Sequence, residues 1–334
     1  MLRTTIIQDM SYNKKPFLLT LEYPPQLGGV ARYLEGEVKN FEGEVVVSVV
    51  SANWKRLFGR ARQEFKKSQC DYLWISHVLP MGYIALVWKW IYKTRYRVYL
   101  HGLDLVLPLK SSWKKFWVKM ILTNADEIVV NSNATKKLLD YYKIDSGRDA
   151  KPCVSVVYPR LEKIDINKYK PIAEKLRQQY QINNKPILLT ISRLVKRKGI
   201  DLVIKSLPDV WCDIPDLVYV VAGEGEDRDR LVETLHCNVS NEKQDQIIFT
   251  GPIPDEEKYG WLSACNCFIL TPVDDPNDFE GYGIVYKEAQ MFGKPVIGSR
   301  VGGVPEAIGE NGTLVEAGNF NQIKEAIKSI IKSK

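Results

Sequence analysis

The chain has 334 residues, 45% of them hydrophobic and 26% charged, the balance of a folded globular protein rather than a disordered or fibrous one. No stretch reaches the ~18–20 consecutive apolar residues of a membrane span, and the N-terminal residues lack the apolar run of a signal peptide, so a cytoplasmic protein is expected. The net charge of +7 divides into +11 over residues 1–168 (27 Lys and Arg against 16 Asp and Glu) and −4 over residues 169–334 (20 against 24), so the basic excess sits wholly in the first half.

In chain order, short apolar runs predict strands at about Phe17–Tyr23, Glu44–Val50, Asp71–Ser76, Arg97–His101, Glu127–Asn131 and Val154–Tyr158, with segments of helical period between them. A polar, proline-bearing stretch near Asp165–Pro171 reads as a linker. A second series follows at Ile187–Ser192, Leu217–Ala222, Gln246–Thr250, Cys267–Leu270 and Pro295–Ser299. Such alternation predicts α/β architecture: two doubly wound, Rossmann-like domains, 1–168 and 169–334, each a parallel sheet with crossover helices. Ligands of such sheets bind outside the carboxyl ends of the strands, so residues just after strands carry the chemistry.

Six of the eight tryptophans (54, 74, 88, 90, 113, 117) fall in the basic half. Trp54, Leu57, Phe58, Ala61 and Phe65 form one apolar stripe at helical spacing with cations opposite, and Trp88-Lys89-Trp90 and Trp113-Lys114-Lys115-Phe116-Trp117-Val118-Lys119 repeat the mixture. Each stripe taken singly reads as an ordinary core-facing helix; together they suit an anionic membrane surface. No nucleic-acid motif accompanies the charge, so nucleic acid is not the expected partner. Three histidines and no Gly-x-Ser-x-Gly leave serine-hydrolase chemistry little material, and six cysteines without a Cys-x-x-Cys pair read as reduced thiols.

Three segments carry candidate chemistry. Gly28 and Gly29 follow the first strand and precede a helix, where backbone amides can approach an anion. Ser192-Arg193-Leu194-Val195-Lys196-Arg197-Lys198-Gly199 follows the strand ending near Ile191; Arg193 as a fork and Lys198 as a point charge suit a diphosphate, with Lys196 and Arg197 expected at least partly exposed. Phe279-Glu280-Gly281-Tyr282-Gly283-Ile284-Val285 opens a helix that reaches Glu288 two turns on, so Glu280 stands at the helix mouth beside amides suited to a diphosphate, and Glu288 lies within reach of a ribose. Gly223-Glu224-Gly225 reads as a plain turn or a nucleotide contact. Asp227-Arg228-Asp229 spells the carboxylate pair of metal-dependent sugar transferases but falls on a charged helix start, read as a solvated face. His77 also follows a strand.

The Glu-x7-Glu element with its Glu-Gly-Tyr-Gly opening, the Ser-Arg-Leu and Lys-Gly pair, Gly223-Glu224-Gly225, Gly293-Lys294-Pro295 and Gly302-Gly303-Val304-Pro305-Glu306 resemble retaining nucleotide-sugar glycosyltransferases of family 4. The resemblance covers residues 17–320, more loosely in the first half through Gly28-Gly29, His101-Gly102-Leu103-Asp104 and Asn131-Ser132-Asn133. It implies the GT-B fold, two Rossmann-like domains facing across a cleft, with the acceptor on residues 1–168 and the nucleotide sugar on 169–334. It implies that Arg193 and Lys198 bind the donor diphosphate, Glu280 the transferred sugar and Glu288 the ribose. Gly28 and Gly29 would line the phosphates, His101 would lie by the sugar, and Gly223, Gly225 and Ile253 would lie by the base. No metal or cofactor is implied, and the acceptor is a sugar or a lipid-linked group. Tyr158-Pro159-Arg160-Leu161-Glu162 stands where the family often carries Asn-Gly-Val/Ile-Asp, and the chain stops at Lys334 where the family usually adds a further helix. Alternatives on the same scaffold are a nucleotide-sugar epimerase and a non-catalytic protein that binds membrane or nucleic acid.

Overall fold

The computed structural model describes residues 15–26, 28–50, 54–145, 152–162 and 164–333; the side chains of residues 54–58 and 60 are outside that description, and with them Trp54, Leu57 and Phe58 of the first apolar stripe. Leu27 is outside it as well.

The chain divides into two compact units, Met1–Leu100 with Ser111–Val129 and Asp140–Ser155, and His101–Lys110 with Val130–Leu139 and Val156–Lys334. The first part of the chain runs β1 (Pro16–Thr20), α1 (Gly29–Lys39), β2 (Val46–Val49), α2 (Trp54–Lys67), β3 (Tyr72–Ser76), α3 (Val78–Tyr92), β4 (Arg95–Leu100), α4 (Leu103–Val106), α5 (Ser112–Thr123), β5 (Glu127–Val130), α6 (Asn133–Lys137) and β6 (Cys153–Val156). Its six-stranded sheet has the order β2-β1-β3-β4-β5-β6. Phe17, Phe65 and Trp88 form its aromatic centre, with ring centroids 5.6 and 5.3 Å apart. Phe65 and Ala61 therefore face inward on α2, as the stripe predicts.

The second part runs α7 (Lys170–Gln179), β7 (Ile187–Ile191), α8 (Ile200–Trp211), β8 (Val218–Ala222), α9 (Arg228–Asn238), α10 (Asn241–Gln244), β9 (Ile247–Gly251), α11 (Asp255–Ala264), β10 (Cys267–Leu270), α12 (Ile284–Met291), β11 (Val296–Ser299), α13 (Val304–Ile308), β12 (Thr313–Val315) and α14 (Phe320–Lys332). The sheet order is β12-β11-β10-β7-β8-β9, and every pairing along it is parallel. Alternation by two splits each strand between two cores: Leu188, Tyr219 and Ile269 face α8, α9 and α14, whereas Leu189, Val220 and Phe268 face the opposite layer. Both faces are covered, which is why these strands read as continuous apolar runs.

All eleven expected strands are present. The short β12 was not expected, and Pro171 opens α7 rather than sitting in a linker, its ring suiting the first helical turn. No disulfide joins any of the cysteines among the described residues.

Candidate active site

In each sheet the strand order reverses at one point, between β1 and β3 in the first and between β7 and β10 in the second. Such a switch point opens a crevice, because the loops leaving the two strands diverge to opposite faces. In the second unit those loops are residues 192–199 and 271–283, one basic and one acidic.

Glu280 is 7% exposed. Its Oε2 accepts from Lys198 Nζ at 2.6 Å and from Arg197 Nη1 at 2.7 Å. Arg197 Nε also lies 2.7 Å from Asp278 Oδ2, so one guanidinium spans two carboxylates. Burial alone would raise the Glu280 carboxyl, but the charges of Lys198 and Arg197 and their hydrogen bonds overcome it and hold the group down at about 2. Burial pushes the Lys198 ammonium below its usual range against the pull of Glu280, and Arg197 and Arg193 push it the same way. Arg193 stands five residues before Lys198 in the same loop, its side chain exposed at the carboxyl end of β7. Lys196 is exposed as expected. Arg197 is not: it is 4% exposed, correcting the expectation drawn from its place in a basic loop. A tight turn at Lys196–Lys198 directs its last two side chains inward, and Arg197 C=O accepts from Val273 N–H at 2.8 Å, fastening the two loops together.

A cavity of about 360 Å³ adjoins this cluster, lined by Arg197, Asp275, Phe279, Glu280 and Gly302 among others. Gly283 caps α12, whose first residues are Ile284 and Val285; a helix start leaves its first amides without partners inside the helix. Gly281 is needed for close approach, since a Cβ there would lie 2.1 Å from the carbonyl oxygen of His101. That contact sets the His101 turn against the Glu280 segment. Asp104 Oδ1 holds the turn by accepting from the amides of His101 and Gly102 at 3.1 and 2.9 Å. Tyr282 is buried, its ring 5.6 Å from that of Tyr158.

Glu288 lies just over one turn into α12 and is 2% exposed, and its Oε1 accepts from Lys258 Nζ of α11 at 2.5 Å. Gly223 follows β8 and approaches Ser192 so closely that a Cβ would lie 1.9 Å from the Ser192 carbonyl oxygen. Its amide donates to Gly251 O at 2.8 Å, which joins the turn of Gly223 and Gly225 to the one leading to Ile253. Ile253 is half-buried against the core. In the first unit Gly28 and Gly29 stand at the start of α1, Gly28 beside Glu22. His77 follows β3 with Nε2 3.8 Å from Glu22 Oε1. Asp227 of the Asp-x-Asp string is buried and held by Arg230 at 2.5 and 2.7 Å, so it is a paired group and not a solvated one.

Sequence reasoning assigned no role to Arg197, Lys258, Asp278 or Glu306. The signal for the first and third was charge complementarity: Asp274, Asp275, Asp278 and Glu280 match the cations of residues 193–198. Glu306 accepts from the amides of Asn133 and Ala134, both at 2.8 Å, from Asn133 Nδ2 and from Tyr158 Oη, both at 2.9 Å. Burial and the bond to Glu306 push the Tyr158 phenol up to about 12, so it donates throughout the neutral range.

Comparison with known proteins agrees with this geometry. The model of the family described as "Glycosyl transferases group 1" matches residues 172–334, and that of "Glycosyltransferase Family 4" matches residues 19–149. A GDP-mannose-dependent alpha-(1-6)-phosphatidylinositol monomannoside mannosyltransferase of Mycolicibacterium smegmatis is 24% identical, over 94% of this chain and 88% of its own length. The alpha-monoglucosyldiacylglycerol synthase of Streptococcus pneumoniae is 26% identical over 72% of this chain and 54% of its own. Among solved structures, Anabaena HepE in complex with UDP-glucose superposes with a TM-score of 0.73 at 20% identity, covering 95% of this chain and 90% of that one. Sucrose-phosphate synthase of Thermosynechococcus elongatus gives 0.66 at 20% identity, covering 96% and 90%. The chain belongs to the family 4 type of glycosyltransferases and has their two-domain GT-B fold.

Proposed function

We propose that the enzyme moves a sugar, with retention at its anomeric carbon, from a nucleotide diphosphate donor to a lipid-linked acceptor in glycolipid or surface polysaccharide synthesis. The observation that carries this reading is the cluster of Lys198, Arg197 and Glu280 at the β7/β10 switch point, on the loop that Arg193 opens. Cleavage of a sugar–diphosphate bond places negative charge on the leaving phosphate and positive charge on the sugar carbon. Pre-placed cations oppose the first at no cost of reorganisation during the reaction. Arg193 and Lys198 hold the diphosphate together with the first amides of α12. With these charges supplied by the chain, transfer proceeds without a metal.

Glu280, kept ionised beside Lys198, receives the sugar hydroxyls. Glu288, fixed by Lys258 at one oxygen, meets the ribose with the other. Gly223, Gly225 and Ile253 border the base, and His101 the sugar. The acceptor hydroxyl attacks on the face the leaving group departs, with a diphosphate oxygen taking its proton. The lipid character of the acceptor is supported by the relatives named for phosphatidylinositol and diacylglycerol products and by the basic first half. Among the described residues no helix is long and apolar enough to cross a membrane; the enzyme works at the cytoplasmic face, held at the surface by charge.

Incubation with labelled UDP-glucose or GDP-mannose and a membrane lipid extract tests the proposal. Label is expected in the lipid phase with release of the nucleoside diphosphate. Release of free sugar alone, or isomerised donor without any acceptor, would overturn it.

A further inference from the structure

We infer that the outer face of α3 and α5 in the first unit is the surface that docks on an anionic lipid bilayer. The inference rests on the glycolipid reading above and names the part of the molecule that meets the membrane.

Trp113, Phe116, Trp117 and Met120 recur on α5 at intervals of three and four, so they share one side of the helix. Trp113 is 66% exposed and Phe116 53%. Trp117 is the hub of the cluster, with ring centroids 5.5 Å from Trp113, 5.7 Å from Phe116 and 5.7 Å from Tyr83 of α3. Tyr83 continues on its own helix to Trp90 and Ile91, one further pair of turns along, which are 48% and 62% exposed. Two neighbouring helices thus present one aromatic and aliphatic face to solvent. The opposite side of each is ordinary core: Val118, Ile121 and Leu122 on α5 and Ala85 and Trp88 on α3 are buried.

Charge identifies the occupant. Lys114, Lys115 and Lys119 are exposed on α5, and Lys93 closes α3. Between Val78 and Ala125 the sequence holds eight Lys and Arg and one acidic residue, Asp104; Lys89 and Arg95 pair with Asp126 and Arg97 with Glu127, so the charge this face offers comes from the exposed Lys93, Lys114, Lys115 and Lys119. A second copy of this chain seated on the face would set lysine against lysine, an arrangement that costs rather than gains. Protein interfaces moreover deplete lysine from their centres. Exposed aromatic rings flanked by the exposed lysines of α5 and the end of α3 suit the headgroup layer of an anionic bilayer, where rings enter the acyl boundary and cations meet lipid phosphates. Phosphorus-borne charge spread over a surface, rather than one bound phosphate, matches cations spaced along two helices.

Cosedimentation of the full chain with vesicles tests this. Wild-type protein is expected to bind phosphatidylglycerol–phosphatidylcholine vesicles, to release at high salt, and to ignore phosphatidylcholine alone. K115Q/K119Q should weaken binding about 25-fold at low salt, roughly fivefold for each charge, and W113A/F116A about tenfold or more. All four side chains are exposed, so both variants should melt like wild type and keep the stabilisation by UDP or GDP that reports the nucleotide site. Equal binding by wild type and both variants would overturn the inference and leave the glycosyltransferase reading standing. Loss of self-association in W113A/F116A, or loss of single-stranded oligonucleotide binding without change in vesicle binding, would overturn it in favour of a second copy or nucleic acid. Loss of nucleotide stabilisation in wild type itself would count against the donor site and not against the docking face.

Discussion

Lys198 and Glu280 stand 82 residues apart in the chain and 2.6 Å apart in space, at the one place in the second sheet where neighbouring strands send their loops to opposite sides. The cation is the group best placed to oppose charge on a departing diphosphate, and the carboxylate keeps that cation in position. Lys198→Ala should lower kcat about 10²–10³-fold, the usual cost of removing one preorganised donor. Steady-state transfer assays on a protein with unchanged circular dichroism check this.

Arg197 is a positioning residue, since it acts through Asp278 and Glu280. Arg197→Lys can reach only one of the two carboxylates, because an ammonium lacks the fork of the guanidinium. The expected result is a kcat lower by about 10-fold with donor KM within about twofold; Arg197→Ala should cost more, and thermal stability as well, because it leaves Asp278 without that charge. A rise in KM alone would mean that Arg197 binds donor directly.

The Glu280 carboxyl falls from an ordinary 4.5 to about 2 in the folded chain. Between those values the unfolded chain binds the proton that the folded one refuses, so this group contributes stability above about pH 4.5 that is lost as pH falls toward 2. Glu280→Gln removes the contribution. Melting temperatures measured from pH 5 downward should fall less steeply for the variant than for wild type, with the other carboxylates cancelling in the difference.

Glu306 gathers four donors, two of them backbone amides at the start of α6. Glu306→Ala should speed hydrogen exchange at Asn133 and Ala134 by about tenfold or more, since each amide loses a charge-assisted bond. Exchange rates at Leu188 and Val220, in the sheet core, should not follow.

Much of the fold was legible because parallel strands covered on both faces must be apolar throughout; Ile187–Ile191 and Val218–Ala222 announce themselves in that way. β12 did not, being three residues long between a turn and a glycine. Arg193, Lys198, Glu280 and Glu288 were legible from their position after strands and from motif spacing. The partners of those residues were not. Arg197 sits among cations that are solvated by default, and only the turn at 196–198 decides which side chain goes inward. Lys258 lies on α11, whose start carries three acidic residues and gives no sign of a basic group directed toward α12. Long-range charge pairs of this kind depend on how two helices meet, which local sequence does not encode.

The most direct measurement is calorimetric titration of UDP-glucose and GDP-mannose into wild type, Lys198→Ala and Glu280→Gln. Wild type should bind one of the two at a single site, Lys198→Ala at least about 100-fold more weakly, and Glu280→Gln should bind the free nucleoside diphosphate nearly as well as wild type while losing most of the affinity that the sugar adds. Undiminished binding of the nucleotide sugar by Lys198→Ala would contradict the assignment of this cluster as the donor site.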